Sequence, residues 1–388
     1  MEYVKKELPV KINKIGWMLT LSGLLIVIIS YSFDLQRSLF NNLIGLIFLT
    51  GIAVGALSLV ALEYLSGAVW STPMRRVSEF LSSSLPFILI LSIPLFIYFQ
   101  DVYTWAQTDV IKNDALIQHK SAYLNFPFFT LRFVVTLLIL FVFYFVLMKN
   151  SRKQDITKEQ KHTKINIKFS AVYMPVVAIL LTIMAIDWMM SLVPHWYSTI
   201  FGFYFITTTV LAGLAASTYV AVTLNEKGYL HPSIGEDHYY SFGALLFAMT
   251  NFWAYIAFSQ FLLIWYANMP EETSWFMLRW AGNWKYLSIA LILVRFAIPY
   301  AGLLSYGSKV NPKNLKRISL FILFAHLFDT YWLIMPSYSG NMVFSFYEMG
   351  FPILIVGIII LTFYAQSKKY NLVPIGDPKL QRGLDFHL

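Results

Sequence analysis

Long apolar runs separated by short polar segments recur along the whole chain. Each of ten runs is about 20 residues long or more, enough for an α-helix to cross a hydrocarbon core of ~30 Å. The pattern predicts helices over residues 15–33, 39–66, 84–105, 123–148, 168–192, 197–224, 239–267, 284–306, 315–337 and 342–366. Composition agrees, because only 13% of residues are charged, against about 25% in soluble domains. The predicted fold is an all-α polytopic membrane protein.

Basic residues are distributed unevenly over the loops between these helices. Ten helices place both termini on one side, and that side carries 22 Lys and Arg residues against five on the other. Seven of the 22 lie from Lys149 to Lys168, where a long basic loop is expected over 149–167. Cytoplasmic loops carry such an excess, so we expect a multi-pass protein of the bacterial inner membrane with both termini in the cytoplasm. The net charge of +9 therefore does not indicate a nucleic-acid partner.

Charged residues also occur inside the apolar runs, as a pair that is repeated. Arg132 in helix 4 is followed by Asp187 in helix 5, and Arg295 in helix 8 is followed by Asp329 in helix 9. Both arginines precede a Phe, and both aspartates lie seven residues before a Pro. A charge at bilayer depth costs roughly 2.5–3.5 kcal/mol and usually faces a bundle interior or a proton or substrate path.

A spacing of four helices preserves the direction of each helix, so the pairs indicate a parallel internal repeat. The alternative is that two short coincidences occur in an apolar chain. Under the repeat, helices 2–5 and 6–9 form two four-helix bundles, with helices 1 and 10 packed outside. The expected units are 1–33 (N-terminus and peripheral helix 1), 34–195 (first bundle), 196–338 (second bundle) and 339–388 (peripheral helix 10 and cytoplasmic tail).

Seven ionisable residues are candidates for a proton path through these bundles. They are Arg132, Arg295, Asp187, Asp329, His326, Glu348 and Glu63. His326 precedes Asp329 by one turn and shares its helix face. Glu63 marks the cytoplasmic end of helix 2, but no polar residues clearly bridge it to Arg132. Two interpretations stay open, because each Arg–Asp pair could relay protons or simply clamp two helices together.

The loop after helix 5 carries candidates for a quinol site: His195, Trp196 and Tyr197, with Asp187 close by in sequence. Oxidation of a hydroquinone releases two protons, which nearby bases must accept. Aromatic side chains are also common at membrane interfaces without any such role. Only one of seven His lies within a predicted span, and Cys is absent from the sequence. We therefore expect no metal site, no covalently bound cofactor and no buried haem, so electrons would pass to a partner.

Three stretches carry a resemblance to a known family. The run from Asp187 to Gly202 resembles the signature of NrfD/PsrC-like membrane subunits, and more closely the ActF membrane component of bacterial alternative complex III, a quinol:cytochrome c oxidoreductase. Residues 252–272 and 326–336 support this likeness. It covers helices 5–9 well and the N-terminal third mainly through hydropathy.

The resemblance implies an integral subunit without a redox centre of its own. It implies a homologous quinol-binding membrane subunit, an iron–sulfur/molybdopterin-like subunit, multihaem and monohaem cytochromes c and a terminal oxidase as partners. Haem c and iron–sulfur clusters would belong to those partners, while menaquinone or another quinol could bind in the membrane. The loop of the homologous quinol-binding subunit typically has the sequence Pro-Gly-Trp-His. This chain has Pro194-His195-Trp196-Tyr197 at that place, so its histidine is at a different position of the motif. Asp187, Asp329 and His326 match the family pattern and are carried over as proton-path residues.

Two classes of function follow from these observations. The first is a subunit that contributes a quinol-site-like cavity, a proton path on the periplasmic half, or both. The alternative is a secondary transporter with internal repeats. Transporters usually break helices near the bilayer midplane, whereas Pro194 and Pro336 fall at helix ends. A purely structural anchor is a third interpretation, in which the buried carboxylates tolerate neutral substitution.

Overall fold

The computed structural model describes residues 6–388, so residues 1–5 of the expected N-terminal unit lie outside the described residues. The described part contains ten helices long and apolar enough to cross a membrane. They are α1 (Val10–Phe33), α2 (Leu35–Ser66), α3 (Thr72–Ile97), α4 (Phe126–Thr157), α5 (Gln160–Leu192), α6 (Phe201–Glu226), α7 (Glu236–Ala267), α8 (Trp284–Leu303), α9 (Pro312–Ser337) and α10 (Tyr347–Lys369). Residues 6–388 contain no β-strand. The chain is an all-α polytopic membrane protein, as predicted.

An even number of spans brings both chain ends to one side of the molecule. We call this side, with the connections after α2, α4, α6 and α8, the terminal face, and the other side the opposite face. Short helices cover the opposite face between spans, at Thr108–Asn113, Ala115–Lys120 and Pro270–Leu278. The segment from Tyr370 onward, which ends with the helix Leu380–Leu384, lies on the terminal face.

Helices α2 and α6 form the centre of the molecule and are buried along most of their length. They cross where Gly55 meets Gly213, and a Cβ atom added to Gly213 would overlap the Gly55 carbonyl carbon. Small residues at such crossings allow two membrane helices to pack backbone against backbone. Around this centre, α2 packs on α3 and α5, α6 packs on α7 and α9, and α4 packs on α5.

Helices α1 and α10 pack against each other, a contact that the sequence analysis did not predict. Added Cβ atoms at Gly23 and Gly357 would clash with the backbones of Leu354 and Thr20, respectively. The two helices therefore run antiparallel in close contact. Most of the remaining surface of α1 is apolar and exposed, which suits contact with lipid.

The terminal face differs from the prediction at two places. The expected basic loop over 149–167 is helical, because α4 continues to Thr157 and α5 begins at Gln160, with Lys158 in a left-handed conformation at the joint (φ 56°). Lys, Arg, Gln and Glu are good helix formers, so a helix continues past the membrane where hydropathy no longer reports it. Likewise α3 begins at Thr72 rather than at residue 84. The internal repeat and its unit boundaries stay predictions.

Candidate ligand cavity and buried ion pairs

The first Arg–Asp pair is fully bonded. Arg132 Nε donates to Asp187 Oδ2 at 2.7 Å and Nη2 donates to Oδ1 at 2.9 Å. Its Nη1 donates to the Tyr123 carbonyl at 3.0 Å, and the guanidinium lies 3.8 Å from the Tyr123 ring and 4.4 Å from the Phe128 ring. This geometry is a closed clamp between α4 and α5.

Aromatic rings fill the space beside this clamp, on the opposite-face half of the first bundle. We call them the aromatic cluster: Phe96, Phe99, Tyr103, Trp105, Phe129, Phe133 and Trp188. Most contacts between these rings are tilted or edge-to-face, the arrangements that aromatic pairs prefer. Rings of this cluster, among them Phe133 and Trp188, thus pack next to the Arg132–Asp187 pair.

The second pair is close but incompletely bonded. Arg295 Nε lies 3.5 Å from Asp329 Oδ2, and both side chains are fully buried. Within residues 6–388, Arg295 Nε and Nη2 and Asp329 Oδ2 have no hydrogen-bond partner. The Tyr204 hydroxyl donates to Asp329 Oδ1 at 2.5 Å. Arg295 lies in a π-helical turn, Leu293–Ala297, and such turns occur frequently at functional sites.

A cavity of about 790 Å³ lies between α6, α7, α8, α9 and the helix Pro270–Leu278. Arg295 and Asp329 are not among its lining residues, but Tyr204, which bonds to Asp329, is part of its wall. Its wall is largely apolar, with a few polar side chains: Tyr204, Trp253, Gln260, Asn268, Thr273, Arg279 and Ser288. Phe258 of α7 and Ile292 of α8 line the cavity and are also exposed on the lipid-facing surface. The cavity therefore opens sideways toward lipid. A mostly apolar pocket with few, convergent polar groups is typical of small-molecule sites.

Arg279 closes the opposite-face end of this cavity. Its guanidinium lies 3.4 Å from the Trp275 ring and 5.1 Å from the Trp332 ring. It donates to the carbonyls of Trp275 at 2.9 Å and Leu333 at 2.5 Å. Burial lowers the pKa of Arg279, but an arginine stays charged in a protein. Sequence reasoning counted Arg279 only as a loop cation, although its place between Trp275 and Trp280 was a usable signal.

His326 extends the second pair toward the centre of the molecule. It is fully buried, stacks on Phe48 with ring centroids 5.5 Å apart, and faces Gly51 of α2. Neither ring nitrogen has a hydrogen-bond partner in the described part of the chain. The structure thus brings together Arg295, Asp329 and His326, three of the seven proton-path candidates.

The remaining candidates form separate groups. Glu348 accepts two hydrogen bonds from Arg37, at 2.7 and 2.8 Å, and a third from Asn41 at 3.1 Å. This contact ties α10 to α2 near the opposite face. Glu63 accepts from Arg75 at 2.9 Å and from Thr72 at 3.0 Å, at the terminal face.

The quinol-site candidates of the α5–α6 loop do not form one site. His195 lies 2.7 Å from Asp114 and is half exposed, so it pairs with that residue rather than with Asp187, whose carboxylate is held by Arg132. A short 3₁₀ turn, Met190–Leu192, ends α5 and directs the loop outward. Asp114 precedes the short helix Ala115–Lys120. The backbone N–H groups of that helix, with His195, hold the pKa of Asp114 below its usual range.

The two aromatic residues of this loop face different surroundings. Trp196 is buried and stacks on Trp275 at 4.6 Å, so it supports the wall of the second-bundle cavity. Tyr197 is exposed beside Lys120. Sequence reasoning expected a quinol-site-like cavity but did not locate it, and it missed Tyr204 and Trp253. Each lining helix contributes residues that look like ordinary apolar or interfacial positions.

Comparison with known proteins assigns no family. No protein-family model matches this chain, and no curated protein matches it. Residues 6–388 contain no group of three or more His, Asp or Glu arranged to hold a metal ion.

Proposed function

We propose that this chain is the ActF-like integral membrane subunit of a bacterial quinol:cytochrome c oxidoreductase, and that its second bundle binds the quinol. The observation that carries this proposal is the lipid-open apolar cavity beside the incompletely bonded Arg295–Asp329 pair. A quinol has a long isoprenoid tail and a ring with two hydroxyl groups. The apolar opening suits the tail, and the polar side chains of the wall, among them Tyr204 and Gln260, suit the ring.

The polar wall gives each residue a role in this proposal. Tyr204, in the cavity wall, would accept a hydroxyl proton from the bound ring and pass its own proton to Asp329, to which it is bonded, and Arg295 would offset the carboxylate charge. His326, one turn away on α9, would exchange protons with Asp329. Electrons would pass to iron–sulfur and haem c groups in partner subunits. The excess of Lys and Arg supports a cytoplasmic terminal face in the inner membrane.

A secondary transporter is the second candidate. The π-helical turn at Leu293–Ala297 interrupts α8 beside the cavity, and substrate sites in transporters often use irregular helices. In that case the cavity would bind a polar solute, and transport would need no redox partner.

Tryptophan fluorescence gives a direct test of ligand binding. The purified full-length chain is titrated under reducing conditions with a short-chain naphthoquinone in its hydroquinone form, which quenches indoles that it contacts, such as Trp253. We expect saturable quenching that Tyr204→Phe weakens up to about tenfold, because the ring hydroxyl loses its hydrogen bond to Tyr204 and such a bond is worth roughly 0.5–1.5 kcal/mol. The matched control, Tyr123→Phe beside the first clamp, should leave binding unchanged.

The same preparation separates the two functions. Haem c and an iron–sulfur subunit that copurify with the chain would support the respiratory assignment. Equal quenching in both Tyr variants, or none that saturates, would remove the quinol site. A solitary chain that carries out solute flux in proteoliposomes would favour the transporter.

A further inference from the structure

A row of buried polar side chains runs along the interface between α2 and α5, away from the cavity. Asn166, Ser170 and Tyr173 of α5 are spaced by four and three residues, so they share one helix face. Ser58 and Tyr64 of α2 lie across from them. All five residues are at most 3% exposed. We call these five residues the polar row.

The polar row is only partly hydrogen-bonded by protein. The Tyr173 hydroxyl lies 3.0 Å from Ser58 Oγ, and the Tyr64 hydroxyl faces the Asn166 amide group. Among the described residues, Tyr64 OH, Asn166 Oδ1 and Ser170 Oγ find no hydrogen-bond partner. Buried polar atoms are nearly always satisfied by protein or by ordered water. The polar row therefore fits a chain of internal water molecules.

The inner end of the row leads to His326. Ser58 and Gly51 are seven residues apart on α2, about 10 Å at 1.5 Å per residue. A Cβ atom added to Gly51 would overlap His326 Nε2. Thr209 of α6 packs against this stretch of α2 at Gly55, and its buried hydroxyl is unpartnered within residues 6–388. Polar groups thus continue from the row to the unpartnered His326 imidazole.

The outer end of the row meets a buried charge cluster at the terminal face. The Tyr64 ring lies 4.6 Å from the Arg75 guanidinium. Arg75 pairs with Glu63 at 2.9 Å, with Glu79 at 3.2 Å and with Asp377 at 2.7 Å.

A second arginine completes the cluster. Arg76 pairs with Glu79 at 2.5 Å and with Asp155 at 2.6 Å. Arg152 and Lys379 lie nearby. Four carboxylates therefore contact two arginines directly, and two further cations flank the cluster.

The C-terminal tail, residues 370–388, supplies Asp377 and covers the cluster. The Gly376 N–H donates to Asp155 Oδ1 at 3.2 Å, and a Cβ atom on Gly376 would overlap the Gln154 carbonyl. Further along, His238 Nε2 lies 2.8 Å from the Gly383 carbonyl. The tail is thus held at Gly376 and at Gly383, on either side of the residue that it contributes to the cluster, Asp377.

We propose that the polar row is a proton inlet from the terminal face to His326, and that the C-terminal tail closes it through the Asp377–Arg75 ion pair. A proton entering at the cluster passes along hydroxyl groups and water, each accepting one proton and donating another. No oxidation or reduction accompanies this transfer. The inference rests on the proposed proton role of His326 and supplies the route by which protons arrive from the cytoplasm.

Proton flux into proteoliposomes tests the inlet without quinol, because a proton that reaches His326 can leave through Asp329 and Tyr204 into the cavity. The full-length chain, with any copurifying subunits, is reconstituted, a potassium diffusion potential is applied, and internal pH is followed with a dye. Wild type should be tight, and Asp377→Asn should raise flux at least about tenfold, the population change expected when one charge-assisted hydrogen bond is lost. The control Asp385→Asn changes a tail carboxylate that bonds to Gln381 and lies outside the cluster, so its flux should match wild type.

A blocking variant and a water-specific readout complete the test. Ser170→Leu, added to Asp377→Asn, should abolish the extra flux because it fills the row. Radiolytic hydroxyl labelling, which reports bound water, should mark Tyr64 and Tyr173 more than the equally buried Tyr103 of the aromatic cluster. An Asp377→Asn variant as tight as wild type would overturn the proposal, as would flux that persists with Ser170→Leu or labelling equal to Tyr103. None of these outcomes depends on naphthoquinone binding in the second bundle, so the two proposals can fail separately.

Discussion

The incompletely bonded Arg295–Asp329 pair predicts an unusually large loss of stability in Asp329→Asn. Both side chains are fully buried, and removal of one partner from a buried pair costs roughly 3–5 kcal/mol because the other charge stays uncompensated. The substituted amide still accepts the Tyr204 hydroxyl, so we expect the lower end, about 3 kcal/mol.

The matched substitution in the first bundle, Asp187→Asn, should cost less. Arg132 keeps its bond to the Tyr123 carbonyl and its contacts with two aromatic rings, and it is 8% exposed. We expect about 1.5–2 kcal/mol, the lower part of the roughly 1.5–3 kcal/mol that a hydrogen bond to a charged group is worth. The assay is reversible unfolding in mixed micelles with increasing SDS, followed through the emission of the 11 tryptophans.

A double substitution separates lost charge compensation from lost packing. Arg295→Met combined with Asp329→Leu removes both charges, and such replacements are often neutral or stabilising. We expect recovery to within about 1 kcal/mol of wild type, the remainder reflecting the unpaired Tyr204 hydroxyl. The reasoning would be refuted if Asp329→Asn cost no more than Asp187→Asn, or if the double variant were no more stable than Asp329→Asn alone.

Two further predictions concern helix packing and the tail. Gly213→Ala should cost about 1–3 kcal/mol through overpacking, since its Cβ would overlap the Gly55 carbonyl carbon; Gly307→Ala, with open space around it, is the control in the same SDS assay. Burial alone would raise the pKa of Asp377, but the charge and hydrogen bond of Arg75, together with the N–H and charge of Lys379, outweigh burial and hold that pKa below 3.8. Because the folded pKa is depressed, this carboxylate stabilises tail docking above pH 3.8, and that contribution is lost as pH falls through the folded value. Hydrogen exchange of tail peptides, corrected for intrinsic rates, should show this acid loss in wild type and not in Asp377→Asn.

The ten spans were predictable because a helix needs about 20 apolar residues to cross the hydrocarbon core. The ends of the spans at the terminal face were not predictable from hydropathy. Arg75 and Arg76 look like loop cations in the sequence, yet both are buried within α3, because Glu79 and carboxylates far away in sequence compensate them. Hydropathy carries no information about such partners, so the prediction placed α3 too late and missed Glu79.

The candidate site was predictable only where the residues that form it lie close together in the sequence. His326 and Asp329 are one turn apart, so their common face follows from helix geometry. Tyr204 belongs to α6, and its bond to Asp329 spans 125 residues. His195 was expected near Asp187 from loop proximity, but Asp114 from the preceding connection reaches it instead. Contacts between distant helices need the three-dimensional packing.

The two Arg–Asp pairs show that one sequence signal can produce two different environments. Arg132 and Arg295 each precede a Phe and each face an Asp of the following helix. The difference lies in the space next to each pair, which rings of the aromatic cluster fill in the first bundle and a cavity of about 790 Å³ occupies in the second. A filled space lets Arg132 complete its bonds and act as a clamp. In the second bundle two donors of Arg295 stay unpartnered, and Tyr204 connects Asp329 to the cavity wall. The choice between clamp and relay therefore has a separate answer for each bundle.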